Sequence, residues 1–276
     1  MRIYSKSLVS LKQYSTYNIL RTLTVSYENA SPIKIFKRRR SNAPSSDSTN
    51  LSSKVALVNG GSSPFGLICV KELLRCGAKG VMIADFCENE GKQKLCQICT
   101  DCETNRAAFI KSDLNNVLLL RNAFLKTKTY FNQINIILNV IEQSQEKMWT
   151  EEINQNIEGL VRSTLLGYEF MGIHKGGYGG TICNLIISPS SEGKELCPIL
   201  AATKTYAISF AKEMSSKFNN KTGIKVITAF ADNDVDNESA SKDSSEKSDR
   251  DSISKMLESA SPGSVWTLHF IKRNNN

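Results

Sequence analysis

The sequence predicts an α/β domain with a doubly wound sheet of about seven mostly parallel strands and helices on both faces. From Lys54 onwards, short apolar runs alternate with longer segments whose apolar residues recur at helical spacing, which is typical of strands joined by crossover helices. The first apolar run leads into a glycine-rich stretch of the kind that joins a strand to a helix. With 276 residues, of which 40% are hydrophobic, the chain can bury a sizeable core.

Each predicted strand is a short run rich in Val, Ile, Leu or Ala. In chain order these runs are residues 55–58, 81–84, 108–110, 134–138, 181–187, 225–230 and 265–270. The segments between them that are long enough for a helix are residues 65–76, 115–131, 151–171 and 198–217, with a short last helix at 253–258. Gly77 follows the first helix where a C-cap glycine is expected. This order describes one domain over residues 54–272.

Residues 232–251 break the alternation. This segment carries eight acids and three bases, and its only apolar residues are Val235 and Ala240. Such a segment cannot bury enough apolar surface to offset the entropy that ordering would cost. We expect a disordered acidic insertion between the sixth strand and the last helix.

Residues 1–53 form a basic, Ser- and Thr-rich leader that we expect to be disordered. Residues 1–40 hold nine basic side chains against one acid, so the rest of the chain, with 26 of each sign, is electrically balanced. The folded part then offers no net positive field, and no nucleic-acid partner is expected. The leader suits a mitochondrial transit peptide, whereas Lys37-Arg38-Arg39-Arg40 fits a nuclear address or a solvated tail equally well.

The remaining composition favours a soluble protein that contacts no membrane. No apolar run approaches the roughly twenty residues that a membrane-spanning helix needs, and the N-terminus lacks the apolar block of a secretory signal. The eight cysteines stand at irregular spacings, which favours reduced thiols over a disulfide framework. The expected location is intracellular, in mitochondria or in the cytoplasm.

The glycine-rich stretch, residues 59–66, reads Asn-Gly-Gly-Ser-Ser-Pro-Phe-Gly. Glycines let backbone approach a pyrophosphate, and the amides at a helix N-terminus favour an anion. The second strand ends at Asp85, where a carboxylate can accept hydrogen bonds from ribose hydroxyls and would repel a 2′-phosphate, which favours NAD over NADP. Pro64 has no N–H to offer a phosphate, so the loop can form and still hold a nucleotide poorly. The alternative is a βαβ unit whose glycines serve only packing.

On these residues, and across residues 54–231 and 265–268, the sequence resembles the short-chain dehydrogenase/reductase family, whose fold is of Rossmann type. The run at residues 176–184 is especially similar to the branch with insect-type alcohol dehydrogenases and NAD-dependent 15-hydroxyprostaglandin-dehydrogenase-like members. The sequence departs from the family at Asn59 and Pro64, which replace a Thr and a Gly, and at Asn139-Val140-Ile141-Glu142, which replaces Asn-Asn-Ala-Gly. The resemblance implies a weak or vestigial NAD site formed by Gly60, Ser62, Phe65, Gly66, Asp85, Asp113, Leu114, Asn139 and Lys204.

The family's catalytic machinery is only half present. The resemblance assigns the family's catalytic Asn to Asn156 and its Lys to Lys204. The family's Tyr position, four residues before that Lys, is Leu200, and its Ser position is Ile187. Neither side chain can transfer a proton or hydrogen-bond a developing alkoxide, so hydride transfer by the family's usual route is not expected.

Neighbouring hydroxyls offer little replacement. Tyr206 follows Lys204 by two residues, about 200° round the helix, and is expected to point away. Ser188 lies one residue beyond Ile187, and a β-bulge would be needed to turn it inward. The family's Pro-Gly at the start of the substrate lobe corresponds to Ala231-Asp232, so the acidic segment stands in place of that lobe.

A metal site is not expected. Cys96, Cys99 and Cys102 have spacings that could hold zinc. The resemblance instead puts them in the helix after the second strand, with Cys96 and Cys99 on its inner face beside Leu95 as buried thiols.

The sequence therefore favours a short-chain dehydrogenase/reductase-like pseudoenzyme that acts as a binding or interaction protein, with weak affinity for NAD(H). One alternative is an active NAD-dependent oxidoreductase of a secondary alcohol or carbonyl with non-standard catalytic groups. Another is an oligomeric scaffold whose acidic segment recruits partners. By resemblance, helices 151–171 and 198–217 form the interface of a homodimer.

Overall fold

The computed structural model describes residues 51–102, 104–142, 149–188, 198–232 and 253–268. In these ranges the strands are β1 (Val55–Asn59), β2 (Gly80–Asp85), β3 (Ala107–Lys111), β4 (Ile136–Glu142), β5 (Gly180–Ser188), β6 (Ile224–Asp232) and β7 (Val265–Leu268). All neighbouring strands pair in parallel, in the spatial order β3-β2-β1-β4-β5-β6-β7. The predicted fold class is confirmed. Because the winding reverses between β1 and β4, a crevice opens at their carboxyl ends.

Helices cover both faces of this sheet. In the same ranges they are α1 (Pro64–Arg75), α2 (Glu88–Asp101), α3 (Val117–Phe131), α4 (Trp149–Ile153), α5 (Gly159–Met171), α6 (Pro198–Thr222) and α7 (Ile253–Ser259). The segment predicted as one helix at 151–171 is interrupted by a π-helical segment, Asn154–Glu158, between α4 and α5. No helix in the described ranges combines the length and the apolar character that crossing a membrane requires.

The sheet is buried on both faces, which explains why its strands read as nearly continuous apolar runs. The first cluster, against α1, α2 and α7, includes Ala56, Val58, Leu138, Cys183, Leu185 and Ile187. The second cluster, against α3, α5 and α6, includes Val55, Leu57, Ile137, Ile182 and Val226. A third, smaller cluster consists of Ile141, Leu160, Ile186, Leu200 and Ala207. Successive strand residues alternate between faces, as the strand period of two requires.

Two segments expected to be disordered fall largely outside the described residues. The leader predicted at 1–53 lies outside them up to residue 50, and the acidic insertion predicted at 232–251 lies outside them beyond residue 232. Both stay predictions, as does the import of the leader into mitochondria.

A row of asparagines crosses the middle of the sheet at one register. Asn59, Asn139 and Asn184 are paired neighbours on β1, β4 and β5. Nδ2 of Asn59 donates to Oδ1 of Asn139 at 2.9 Å, and Nδ2 of Asn139 donates to Oδ1 of Asn184 at 2.9 Å. Ser163 on α5 also donates to Oδ1 of Asn139 at 2.7 Å. All four side chains are buried, so these bonds pin the register of the central strands.

Replacing Asn139 tests how much the asparagine row contributes to the free energy of unfolding. Asn139→Ala would leave buried groups of Asn59, Asn184 and Ser163 without their partner, so we expect the free energy of unfolding to fall by about 2–4 kcal/mol. Thr164→Val is the matched control, since the buried Thr164 hydroxyl has no hydrogen-bond partner in the described part of the chain. Urea unfolding followed by circular dichroism measures both. Equal effects of the two substitutions would contradict the assignment.

Candidate functional site

The loop between β1 and α1 is shaped by two glycines. Gly60 has a φ of +73°, and a Cβ there would lie 2.8 Å from the Val140 carbonyl oxygen on β4. A Cβ at Gly66 would lie 2.1 Å from the Gly60 carbonyl oxygen. Any side chain at either position would therefore collide with backbone. Both glycines predicted for the phosphate loop are required by close backbone approach.

Every backbone N–H from Gly60 to Leu67 has an acceptor within the chain, Pro64 having none to donate. Those of Gly60 and Gly61 donate to Ala84 O, that of Ser63 to Gly60 O and that of Leu67 to Ser63 O. The Gly66 N–H donates to the side chain of Ser63, the N-cap of α1, at 3.1 Å. The two remaining amides, of Ser62 and Phe65, donate to carboxylates of other strands. In a loop open to a phosphate, such amides would be left for the ligand.

Asp85, the residue predicted to bind ribose, lies at the carboxyl end of β2 and is half-buried. Its Oδ2 accepts from the Ser62 N–H at 2.8 Å, and its Oδ1 accepts from the Phe86 N–H at 2.7 Å. The carboxylate thus holds the loop in place from the β2 side. The Ser62 side chain is buried, and its hydroxyl has no partner among the residues described.

Glu142, the last residue of β4, reaches the same loop from the other side. Its Oε1 lies 2.6 Å from Ser63 Oγ and accepts from the Phe65 N–H at 3.3 Å. Ser63 Oγ also lies 2.8 Å from the Gly60 carbonyl oxygen, but one hydroxyl proton serves one acceptor at a time, and the charged carboxylate is the stronger acceptor. Glu142 was not among the residues predicted for the site.

The environment of Glu142 disfavours its charge. Burial is the largest effect and raises the pKa of the Glu142 carboxyl, and the nearby Asp85 carboxylate raises it further. The hydrogen bonds from Ser63 and Phe65 lower the pKa and offset part of this. Two carboxylates therefore face the same loop, on either side of the N-terminus of α1.

The residues predicted to bind the adenine end lie beyond β3. Asp113 caps a turn, with Oδ1 accepting from the Asn115 N–H at 2.8 Å. Leu114 is buried, and its carbonyl oxygen accepts from the Arg162 guanidinium at 3.3 Å. The Ser112 N–H donates to Asp85 O at 2.8 Å, which joins this turn to the end of β2. Asn139, predicted to contact nucleotide, has its side chain held in the buried asparagine row.

The two positions that the resemblance assigns to the family's catalytic Asn and Lys lie on neighbouring helical segments. Asn156 is buried in the π-helical segment, which packs against α6. Lys204 is half-buried on α6, with Nζ 5.4 Å from the centre of the Phe230 ring. A π-helical turn widens a helix locally and is frequent at functional sites. The structure thus brings together the elements that carry this pair.

The two positions that the resemblance assigns to the family's Tyr and Ser have apolar surroundings on different faces of the sheet. Leu200, one turn before Lys204, is 1% exposed and belongs to the third cluster with Ile141, Leu160 and Ile186. Ile187 belongs to the first cluster, on the other face of the sheet. The pairing of β5 with β6 runs without interruption from Gly180 to Ser188, so the described strand contains no bulge of the kind that a substitute serine would need.

Tyr206, the nearest tyrosine along the helix from Lys204, does not have the environment of a proton donor. Its ring stacks on that of Phe210, with centres 5.4 Å apart. Burial raises the pKa of Tyr206, whereas a tyrosine that exchanges protons near neutral pH needs a lowered one.

The cysteine segment lies in α2, as expected, but one of its side chains is oriented differently. Cys99 is half-buried and packs with Leu95 against the first cluster, whereas Cys96 is exposed. The expectation that Cys96 lies on the inner face is therefore wrong, because Ile98 takes the buried position of this turn. Within the described ranges, no group of three Cys, His, Asp or Glu side chains is placed to hold a metal ion.

Comparison with known proteins gives a consistent result. A family model described as short chain dehydrogenase matches residues 54–240. The 15-hydroxyprostaglandin dehydrogenase (NAD(+)) of Rattus norvegicus is 27% identical over 178 residues, 64% of this chain and 66% of that protein. The Homo sapiens protein of the same name is 27% identical over 170 residues, 62% of this chain and 64% of its own length. The chain thus matches just under two thirds of these relatives.

Solved structures share the fold. A short-chain type dehydrogenase/reductase from Mycobacterium marinum superposes with a TM-score of 0.62 and 15% identity, covering 81% of this chain and 96% of that one. A 3-ketoacyl-(acyl-carrier-protein) reductase from Brucella melitensis, complexed with NADH, gives a TM-score of 0.55 and 20% identity, covering 66% of this chain and 76% of its own. At such low identity these matches establish the architecture alone.

The raised pKa of Glu142 makes a prediction for stability. Because the folded state binds this proton more tightly than the unfolded state, the charge of Glu142 costs stability once the pH rises above the ordinary carboxyl pKa. We expect Glu142→Gln to raise the free energy of unfolding at about pH 7.5, and the gain to disappear below about pH 4, where Glu142 is protonated in both states.

Urea unfolding at both pH values measures this difference. Glu213→Gln is the matched control. Glu213 forms an exposed ion pair with Lys217, so its substitution should change the free energy of unfolding little at either pH. A loss of stability on Glu142→Gln at pH 7.5 would mean that the hydrogen bonds of the carboxylate outweigh its burial.

Proposed function

Because the chain belongs to the short-chain dehydrogenase family, we propose that it is a member that has lost hydride-transfer chemistry and acts as a binding or interaction protein with weak affinity for NAD(H). The observation that carries this proposal is Leu200. The turn of α6 before Lys204, where the family's proton-transferring Tyr is expected, presents a buried leucine packed among Ile141, Leu160 and Ile186. An apolar side chain can neither donate nor accept the hydroxyl proton that accompanies hydride transfer.

Nucleotide binding is supported in part. The two glycines that allow close backbone approach are present, and Asp85 stands at the end of β2, where a carboxylate can accept from ribose hydroxyls. Against tight binding stands the loop itself, whose amides all have acceptors within the chain. A bound pyrophosphate would have to displace at least one of these acceptors. We therefore propose NAD as a weakly bound ligand.

The alternative proposal is an active NAD-dependent oxidoreductase of a secondary alcohol or carbonyl. The relatives named 15-hydroxyprostaglandin dehydrogenase (NAD(+)) favour it, as do the retained Asn156 and Lys204. When bound, NAD would supply the hydride acceptor. Lys204 would hold a ribose hydroxyl, and Asn156 would position a water for proton relay. This alternative needs a proton-transferring group in place of Leu200.

We also propose that the chain forms a homodimer through α4–α5 and α6. On this surface Leu165 of α5 is 40% exposed, an apolar side chain that a second copy would cover.

Analytical ultracentrifugation tests the dimer. The unmodified chain should give twice the monomer mass, and Leu165→Glu should shift the measured mass towards that of the monomer, because a charge would replace the covered apolar side chain. A monomer at all concentrations would contradict the dimer.

Turnover separates the two proposed functions. We expect the purified chain, given NAD+ and secondary alcohols including a 15-hydroxyprostaglandin, to form NADH no faster than its Lys204→Ala variant, because Leu200, at the expected position of the proton-transferring Tyr, cannot take the hydroxyl proton. NADH absorbance measures this, and Lys212→Ala on the same helix is the control. Turnover that Lys204→Ala abolishes and Lys212→Ala preserves would establish the enzyme instead.

A further inference from the structure

The N-terminus of α1 receives its negative charge from a distant strand. A helix of this length, 12 residues, concentrates partial positive charge at its first amides and favours an anion there. The first turn of α1 contains no acidic residue of its own. Glu142, 77 positions along the chain from Phe65, provides the carboxylate that accepts the Phe65 N–H.

The backbone of β4 holds the Glu142 carboxylate next to the N-terminus of α1. Its strand is fixed in register, with Glu142 paired to Ile187 on β5, and β4 approaches the loop so closely that a Cβ on Gly60 would lie 2.8 Å from Val140 O. The carboxylate therefore stays close to the loop as long as the central sheet is intact. Its hydrogen bonds to Ser63 and Phe65 are those that a ligand phosphate would make at the start of this helix.

We propose that Glu142 is an internal anion that occupies the phosphate subsite of the cleft, so that the cleft selects uncharged nucleosides over phosphate-bearing nucleotides. The proposal rests on the nucleotide-binding function proposed above and names the chemical class of its ligand. An incoming phosphate has to displace the carboxylate from the Phe65 amide or bind beside it as a like charge. A nucleoside needs only the ribose acceptor Asp85 and the turn at Asp113 and Leu114, where the resemblance puts the adenine, whereas the hydrogen bonds of Glu142 go to Ser63 and Phe65.

Other charges near the loop reinforce this selection. Asp85, on the opposite side of the α1 N-terminus, is a second carboxylate, and its Oδ2 accepts from the Ser62 N–H of the same loop at 2.8 Å. A diphosphate would bring two further negative charges to this place.

Calorimetric titration of the full chain at fixed ionic strength tests the proposal. The ligands are adenosine, AMP, ADP-ribose, NAD+ and inorganic pyrophosphate, and the variants are Glu142→Gln and Glu142→Ala. Glu213→Gln changes the net charge equally, far from the loop, and is the control. In the unmodified chain, affinity should fall from adenosine to AMP to ADP-ribose. Both Glu142 variants should bind ADP-ribose at least about tenfold more tightly and adenosine within about twofold.

The outcomes separate this proposal from the proposed nucleotide binding. If the unmodified protein binds ADP-ribose more tightly than adenosine, the proposed role of Glu142 is wrong and the proposed nucleotide binding stands. The same follows if the Glu142 variants gain affinity for both ligands by the same factor, or for neither. If no variant binds any nucleotide but Glu142→Gln gains pyrophosphate binding, the nucleotide proposal fails and the role of Glu142 stands. If no variant binds adenosine, a nucleotide or pyrophosphate, both proposals fail, and if adenosine binds but no Glu142 variant gains ADP-ribose or pyrophosphate binding, the role of Glu142 fails.

Discussion

The cleft depends on one constraint: the loop between β1 and α1 is enclosed by β2 and β4, and each of its N–H groups needs an acceptor. Gly60 and Gly66 let the backbone fold tightly enough to supply several acceptors itself. Asp85 and Glu142 supply the others from the ends of β2 and β4. The positive end of α1 thereby has carboxylates of the chain as acceptors, and any anion there would compete with Asp85 and Glu142.

The sequence predicted the seven strands because a sheet buried on both faces demands continuous apolar runs, and such runs are visible locally. The sequence was less informative about α2, because only Gly91 and Ile98 of this helix are buried and its apolar residues follow no clear period. The expectation of a helix there came from the resemblance. The π-helical segment was not predicted either. Residues 151–171 keep a helical pattern throughout, and one extra residue per turn leaves no compositional mark.

The sequence predicted which residues surround the loop but not the hydrogen bonds that they form. The motif identified Gly60, Gly66 and Asp85, and these residues do lie around one loop. Hydrogen bonds between residues far apart in the chain carry no local signal, so the contact between Glu142 and Ser63 could not be read from the sequence. One signal was available: a carboxylate ends β4 in a sheet whose strands all point their carboxyl ends at the same crevice.

The two positions that the resemblance assigns to the family's Tyr and Ser, Leu200 and Ile187, lie in different parts of the core. Leu200 is part of a packed cluster with Ile186, whereas Ile187 packs on the other face of the sheet. Adding a phenol at Leu200 would overfill that cluster, and a serine at Ile187 would place its hydroxyl in the first cluster. Because strand residues alternate between faces, the two hydroxyls would not meet unless the end of β5 also moved. With the apolar packing at the end of β5 and the start of α6 as it is, a Tyr at Leu200 and a Ser at Ile187 would therefore lie on different faces of the sheet.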